Sequence, residues 1–118
     1  MRKKYNNTTV HLDGKRFMSK AEAGRYVELR KMELAGKISC LTLQVPFKFR
    51  CGAKYVADFR YVEDGKCVVE DVKGVKTAMY RLKAKMMLEE FGIKIRETKM
   101  HASSAAMLIS AAINGGIK

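Results

Sequence analysis

The sequence predicts an α/β chain of the α+β kind: a mixed sheet built in the order helix, three strands, helix, strand, followed by a C-terminal helix. Three observations predict it. Residues 55–62 and 67–73 are rich in aromatic and β-branched side chains and flank an Asp64-Gly65 turn signal, the mark of a hairpin. Residues 41–49 alternate apolar and polar, as a half-buried strand does. Segments 19–35 and 77–91 read as helices, and each is followed by a glycine, Gly36 or Gly92, the residue that most easily takes the left-handed closing conformation.

The elements follow in order. Residues 1–7 form a basic arm. Thr8–Leu12 reads as a short strand closed by Asp13-Gly14. Ser19 opens the first helix, which runs to about Ala35. Pro46 interrupts the strand at 41–49 and points to an edge position or a bulge, because proline has no N–H for a ladder. After the hairpin, Thr77 starts the second helix. Ile93–Thr98 reads as the last strand and Ala102–Asn114 as the terminal helix. A strand-helix-strand unit makes one strand pair parallel, so the sheet is expected to be mixed. The 118 residues are enough for one domain with its own core. Residues 8–99 form that core and 100–118 a helical extension, with no repeat and no linker.

Composition narrows the function. Lys and Arg number 24 against 12 Asp and Glu, a formal charge of +12. That excess favours a polyanionic partner, nucleic acid above all. A merely basic surface, or one for anionic lipid, would not require acids at the positions described below. The three cysteines, Cys40, Cys51 and Cys67, are odd in number and lack CxxC spacing, so they read as reduced thiols of a cytoplasmic protein. No signal peptide is visible behind Met1-Arg-Lys-Lys, and the uncharged run 102–116 falls short of the ~20 residues a membrane span needs. The two histidines, His11 and His101, are too far apart in sequence to suggest a His-based nuclease or a His/Cys zinc site.

The chemistry concentrates on the hairpin. Asp58 interrupts an apolar strand between Ala57 and Phe59, where an unpartnered buried acid would cost several kcal/mol. An edge ion pair with Arg60 or Lys54 is the plainer alternative. Asp71 sits late in a valine-rich strand. Lys73, two residues on, shares its face, while Val72 turns away. Glu70 falls on the other side and reads as a structural or supporting acid. Two carboxylates converging beside an ammonium repel each other unless a divalent cation lies between them, and an oxygen-ligated site is suited to Mg²⁺. Such a site favours metal-assisted phosphodiester hydrolysis. Glu22 is a third acid. Ser19-Lys-Ala-Glu22 fits a capping box, yet Glu22 also lies between Tyr26 and Leu29 on the more apolar side of its helix, as Glu33 does further along. Gln44 leaves two readings open, lining the site or facing solvent.

These residues resemble the PD-(D/E)XK nuclease superfamily. The segments Phe17-Met-Ser-Lys-Ala-Glu22-Ala, Tyr55-Val-Ala-Asp58-Phe-Arg-Tyr and Val69-Glu-Asp71-Val-Lys73-Gly74 are similar to a family of small phage proteins within it, catalogued as a domain of unknown function. The order Gln44-Val-Pro-Phe, Asp58-Phe, acid-x-Lys-Gly is also similar to the phage endonuclease I group, which resolves four-way DNA junctions. The resemblance covers about residues 8–99. Ala57 stands where the superfamily has its namesake proline. The resemblance implies a restriction-endonuclease-like αβββαβ core. In it Asp58 and Asp71 hold Mg²⁺ or Mn²⁺, Glu22 is a further acidic ligand or water-positioning group, Val72 belongs to the metal-binding set, and Lys73 orients or activates the attacking water.

For DNA contacts the sequence offers Arg2, Lys3 and Lys4 in the arm, Gln44, and Lys76, Arg81, Lys83 and Lys85 after the acid-x-Lys turn. Met79, Leu82, Met86, Met87, Leu88 and Phe91 read as core. The uncharged C-terminal helix is expected to pack on its own sheet or to form a homodimer contact, which would suit an enzyme cutting two strands related by two-fold symmetry. The expectation is therefore a metal-dependent phage-type endonuclease, cytoplasmic, acting on branched DNA as a Holliday junction resolvase does. The alternatives are a nicking or single-strand nuclease without junction preference, and an inactive DNA-binding module of the same fold.

Overall fold

The computed structural model of the chain describes residues 9–116. It has an α/β-class architecture with a mixed four-stranded sheet, a two-stranded hairpin and three helices, in the order β1 (Val10–Leu12), β2 (Lys15–Phe17), α1 (Lys20–Leu34), β3 (Ser39–Lys48), β4 (Lys54–Glu63), β5 (Lys66–Val72), α2 (Ala78–Phe91), β6 (Arg96–Thr98) and α3 (Ala102–Gly115). From α1 to β6 this is the expected helix, three strands, helix, strand. The basic arm, with Arg2, Lys3 and Lys4, lies outside the described residues. The chain divides into two compact units, Met32–Lys99 and the described residues on either side of it.

In the flanking unit, β1 and β2 pair antiparallel across Asp13 and Gly14, both at positive φ (56° and 74°), as a tight two-residue hairpin turn requires. Strand β2 was not expected beyond the turn, because Lys-Arg-Phe contains no β-branched residue to mark a strand. Helix α1 begins after Ser19, whose Oγ accepts the Glu22 N–H at 3.1 Å. The Tyr26 hydroxyl donates to Asp13, fastening the helix to the hairpin turn. Helix α3 crosses α1 closely enough that a Cβ on Gly24 would lie 2.8 Å from both Cα and Cβ of Ala105. Its buried residues, Ala105 and Ala112, are small, while Met107 and Ile113 are exposed.

In the unit Met32–Lys99 the strands run β3-β4-β5-β6, antiparallel except for the parallel pair β5·β6. Pro46 sits on β3, the edge strand, opposite Val56, where its missing N–H costs no interior ladder bond. Helix α2 is capped by Thr77, whose Oγ1 accepts the Tyr80 N–H at 3.1 Å, and closes at Gly92 with φ 66°. The core of this unit joins Val45, Phe49, Tyr55, Ala57 and Val69 from the sheet side to Tyr80 and Met87 of α2 and to Ile95.

Two expectations change here. The last strand is shorter than Ile93–Thr98, because the Ile93 N–H bonds the Met87 carbonyl and closes α2, leaving only Arg96–Thr98 to pair. Of the apolar residues assigned to the core from α2, Met87 is buried and Met86 partly so. Met79, Leu82, Leu88 and Phe91 are exposed. One helix offers a sheet a single stripe, here Tyr80, Ala84 and Met87 at helical spacing, and the others fall off it.

Substituting Gly24→Ala tests the α1–α3 contact. Alanine is the better helix former by about 1 kcal/mol, but forcing a methyl group against Ala105 should reverse the sign and destabilise by about 1–3 kcal/mol. Urea denaturation would measure the midpoint, and Ala105→Gly in the same chain should restore part of the loss. A stabilised G24A variant would mean that the helices are not in contact.

Candidate active site

The hairpin β4–β5 places the acids through a break in its own regularity. Phe59 pairs with Glu70 and Arg60 with Val69. Directly paired residues share a face, so Glu70 lies on the Phe59 side and Val69, with Asp71, on the other. A regular β4 would put Tyr55, Ala57, Phe59 and Tyr61 all on the Glu70 side. Tyr55 and Ala57 instead join Val69 in the core, and the Tyr55 hydroxyl donates to Asp71. The Tyr61 hydroxyl donates to Glu70. Strand β4 therefore changes face between Ala57 and Phe59, at Asp58. On β3 the residue between the partners of Ala57 and Phe59 is Gln44, a non-glycine at φ 51°. Such irregularities in a sheet re-aim a side chain.

At this break the two carboxylates take over the role of ladder carbonyls. The Asp58 N–H donates to Asp71 Oδ1 at 2.7 Å, and the Val72 N–H donates to Asp58 Oδ2 at 2.9 Å. Each acid thus accepts a backbone N–H from the opposite strand. Asp71 is 1 % exposed, while Asp58 is half-buried. Asp71 Oδ2 receives the Tyr55 hydroxyl and lies 3.5 Å from the Lys73 ammonium. The backbone of Lys73 is held in turn, its N–H donating to the Thr98 carbonyl at 2.9 Å. Two carboxylates, three polar hydrogens and one ammonium share a small volume at the end of the hairpin.

Tyr80 completes the surroundings. The Lys73 ammonium sits 4.3 Å from the centre of its ring, and the ring lies 6.4 Å from that of Tyr55. The Tyr80 hydroxyl donates to Glu97 Oε2 at 2.8 Å, and Lys76 Nζ approaches Glu97 Oε1 at 2.6 Å. Burial first, then the bond to Asp71, holds the Tyr55 phenol far above its ordinary range. Burial and the bond to Glu97 raise that of Tyr80 as well. Lys76 and the Tyr80 hydroxyl lower the Glu97 carboxyl. On the other face Glu70, 0 % exposed, belongs to a separate network: Arg96 donates to the Tyr61 hydroxyl at 3.1 Å and to Glu63 at 2.9 Å. Burial, then Glu70, pushes Tyr61 up to about 12.

The remaining residues singled out in the sequence are spread over the chain. Glu22 belongs to the flanking unit, buried in the first turn of α1. Glu33 accepts the Leu41 N–H at 3.0 Å, which ties the end of α1 to β3. Gln44 is exposed. Arg81 and Lys85 are exposed on α2 and Lys83 is half-buried, while Lys76 precedes the helix and pairs with Glu97. The sequence reading missed Tyr80 and took Tyr55 only as part of a strand. Nothing local marks either one, since Tyr55 meets Asp71 and Tyr80 meets Lys73 only through the tertiary fold.

Among the described residues no three His, Cys, Asp or Glu side chains gather as a metal cluster. Asp58 and Asp71 nonetheless offer hard oxygen donors, and magnesium is commonly held by one or two carboxylates with water completing its shell. Comparison with family models finds a match over residues 2–108, to a family described as "Protein of unknown function (DUF1064)". The chain belongs to that family. Its match takes in both units, the hairpin with Asp58, Asp71 and Lys73, and the first half of α3. Comparisons with curated proteins and with solved structures returned no match.

The tyrosine bonds can be checked by alkaline titration. Each raised phenol has a folded value above its unfolded one. The stability it contributes is complete below about pH 10 and is lost as pH rises through the folded value. Absorbance at high pH should show Tyr55, Tyr61 and Tyr80 ionising late, together with unfolding. Ionisation of all five tyrosines near pH 10 with the fold intact would contradict these networks.

Proposed function

We propose that this chain is a metal-dependent DNA endonuclease of the PD-(D/E)XK type that hydrolyses phosphodiester bonds, with branched DNA as its preferred substrate. One observation carries the proposal: Asp58 and Asp71, held by each other's strand, stand beside Lys73 at the end of the hairpin. The order of elements from α1 to β6 supports the restriction-endonuclease-like reading, and the charge of +12 supports a polyanionic substrate. The preference for branched DNA rests on the motif order shared with junction-resolving phage endonucleases.

In this mechanism the carboxylates of Asp58 and Asp71 would hold Mg²⁺, with Mn²⁺ able to replace it, and Val72 would belong to the same set. The bound ion would supply a more acidic water and a Lewis acid for the phosphate oxygens. Lys73 offers fixed positive charge to the phosphate as water adds to phosphorus and the bond to the leaving sugar oxygen breaks. Asp71 keeps that ammonium in place. Lys76, Arg81, Lys83 and Lys85 contact phosphates on either side of the cut, which gives salt-sensitive binding with little sequence preference. Arg2, Lys3, Lys4 and Gln44 extend that surface, and Glu22 would serve as a further acidic ligand or water-positioning group, on the motif order and on its place on the more apolar side of its helix. A homodimer is part of the same proposal, since a four-way junction presents two equivalent strands.

The test is cleavage of a labelled four-way junction, a linear duplex and a single strand, each with Mg²⁺, Mn²⁺ or EDTA. We expect metal-dependent cutting, fastest on the junction, and a loss of roughly 100-fold or more in Asp71→Asn with binding retained at low salt. Equal rates on all three substrates would remove the junction preference and leave a general nuclease. Cutting by D71N at the normal rate, or none by the unmodified chain on any substrate, would overturn the proposal.

A further inference from the structure

The acids and the lysine do not stand alone: two aromatic side chains outside the motif grip them. Tyr55 donates its hydroxyl to the same Asp71 oxygen that faces Lys73. Tyr80 lays its ring against the Lys73 ammonium at 4.3 Å. The two rings touch, with centres 6.4 Å apart and planes tilted by 50°. Both belong to the core of the unit Met32–Lys99 and are nearly inaccessible to solvent. Their positions are thus set by packing before any ligand arrives. We propose that Tyr55 and Tyr80 are positioning residues of the site, Tyr55 fixing the Asp71 carboxylate and Tyr80 fixing the Lys73 ammonium. The inference rests on the nuclease reading for its consequence in rate, but not for the contacts themselves.

The chemistry gives each residue a distinct duty. Asp71 has two oxygens and more than two donors around it. Oδ1 is taken by the Asp58 N–H, and Oδ2 by the Tyr55 hydroxyl with Lys73 beyond. A carboxylate bonded on both oxygens cannot rotate freely, so its remaining lone pairs point in a set direction. A phenol hydroxyl has one hydrogen to give, and here it is directed at Asp71. Lysine, in contrast, is a long flexible chain whose ammonium must be brought to one place. An aromatic face attracts a cation at this distance without bonding its hydrogens. Tyr80 can therefore hold Lys73 while leaving N–H donors for a phosphate. Its ring is anchored from the far end, where the hydroxyl bonds Glu97, and Glu97 also binds Lys76 on the loop leading to α2.

Three variants separate this role from simple support of the core. Tyr80→Phe keeps the ring and loses the hydroxyl, Tyr80→Leu keeps apolar bulk and loses the ring, and Tyr55→Phe keeps the ring and loses the donor. Proton NMR of the full chain reads the Lys73 contact directly. Its CεH₂ protons should be shifted upfield by the ring current in the unmodified chain and in Y80F, and return to the usual lysine position in Y80L. Calorimetric titration with Mn²⁺ should show weaker binding in Y55F, with Y80F unchanged. In cleavage, Y55F and Y80L should each lose roughly 10- to 100-fold in maximal rate with DNA binding at low salt unchanged, and Y80F, which loses the anchor but keeps the ring, should lose clearly less than Y80L. Lys73 shifts that are unchanged in Y80L, or Mn²⁺ affinity unchanged in Y55F, would overturn the proposal. So would a Y80F that loses as much rate as Y80L, because the hydroxyl anchor alone would then explain the effect. If the unmodified chain cuts no DNA, the nuclease reading fails, and the NMR and calorimetric results still decide whether the two tyrosines position the pair.

Discussion

Two carboxylates directly across a hairpin ought to push their strands apart, and here they join them. Asp58 and Asp71 lie where the β4–β5 ladder ends, and each accepts a backbone N–H of the opposite strand. Like charges at facing positions are destabilising, but charge-assisted bonds to N–H donors are among the stronger ones a protein makes. The Tyr55 hydroxyl and the Lys73 ammonium add further positive poles around Asp71. The rest of the site depends on this exchange. At this point β4 changes face, Asp71 is buried and Asp58 half-open, and Lys73 stands just past the end of β5, an interior strand.

Much of the site could be read in the sequence because alternation along a strand is a local property. Asp71 and Lys73, two residues apart, had to share a side, and Glu70 had to leave it. The Asp64-Gly65 turn then brought Asp58 opposite, and the glycines at 36 and 92 bounded the helices. What could not be read depends on distant contacts. Tyr55, Ala57, Phe59 and Tyr61 have the spacing of one continuous face, and nothing in their order announces that the strand turns over at Asp58. Gln44 carries a positive φ without being glycine. Tyr80 lies seven residues beyond Lys73 on another element, and only the packing of α2 on the sheet brings its ring back to the lysine. The exposed Met79, Leu82, Leu88 and Phe91 illustrate the same limit, since composition makes a helix apolar without saying which stripe meets the sheet.

In the proposed enzyme, labour divides along these lines. The end of the hairpin supplies the chemistry, with acids fixed by backbone and tyrosine and a lysine fixed by an aromatic face. The loop and helix after it supply contacts to the phosphate backbone, through Arg81, Lys83 and Lys85. Lys76 belongs to both, since its partner Glu97 also anchors Tyr80. A phosphate that draws Lys76 toward DNA would loosen one of the two bonds on Glu97 and so touch the group that steadies Lys73. Membership of a family of unknown function covers this whole arrangement, from before α1 into α3, so the acid pair belongs to the family-matched part of the chain and not to an addition.

The central claim is that the acid pair at the end of the hairpin is a binding site for a divalent ion. Paramagnetic broadening by Mn²⁺ tests it most directly, because the effect falls steeply with distance and needs no substrate. Added to the labelled chain at substoichiometric concentration, Mn²⁺ should first erase the amide signals of Asp58, Asp71, Val72 and Lys73. That effect should vanish in the chain carrying both Asp58→Asn and Asp71→Asn. Broadening that begins elsewhere, or that persists unchanged in the double variant, would contradict the account.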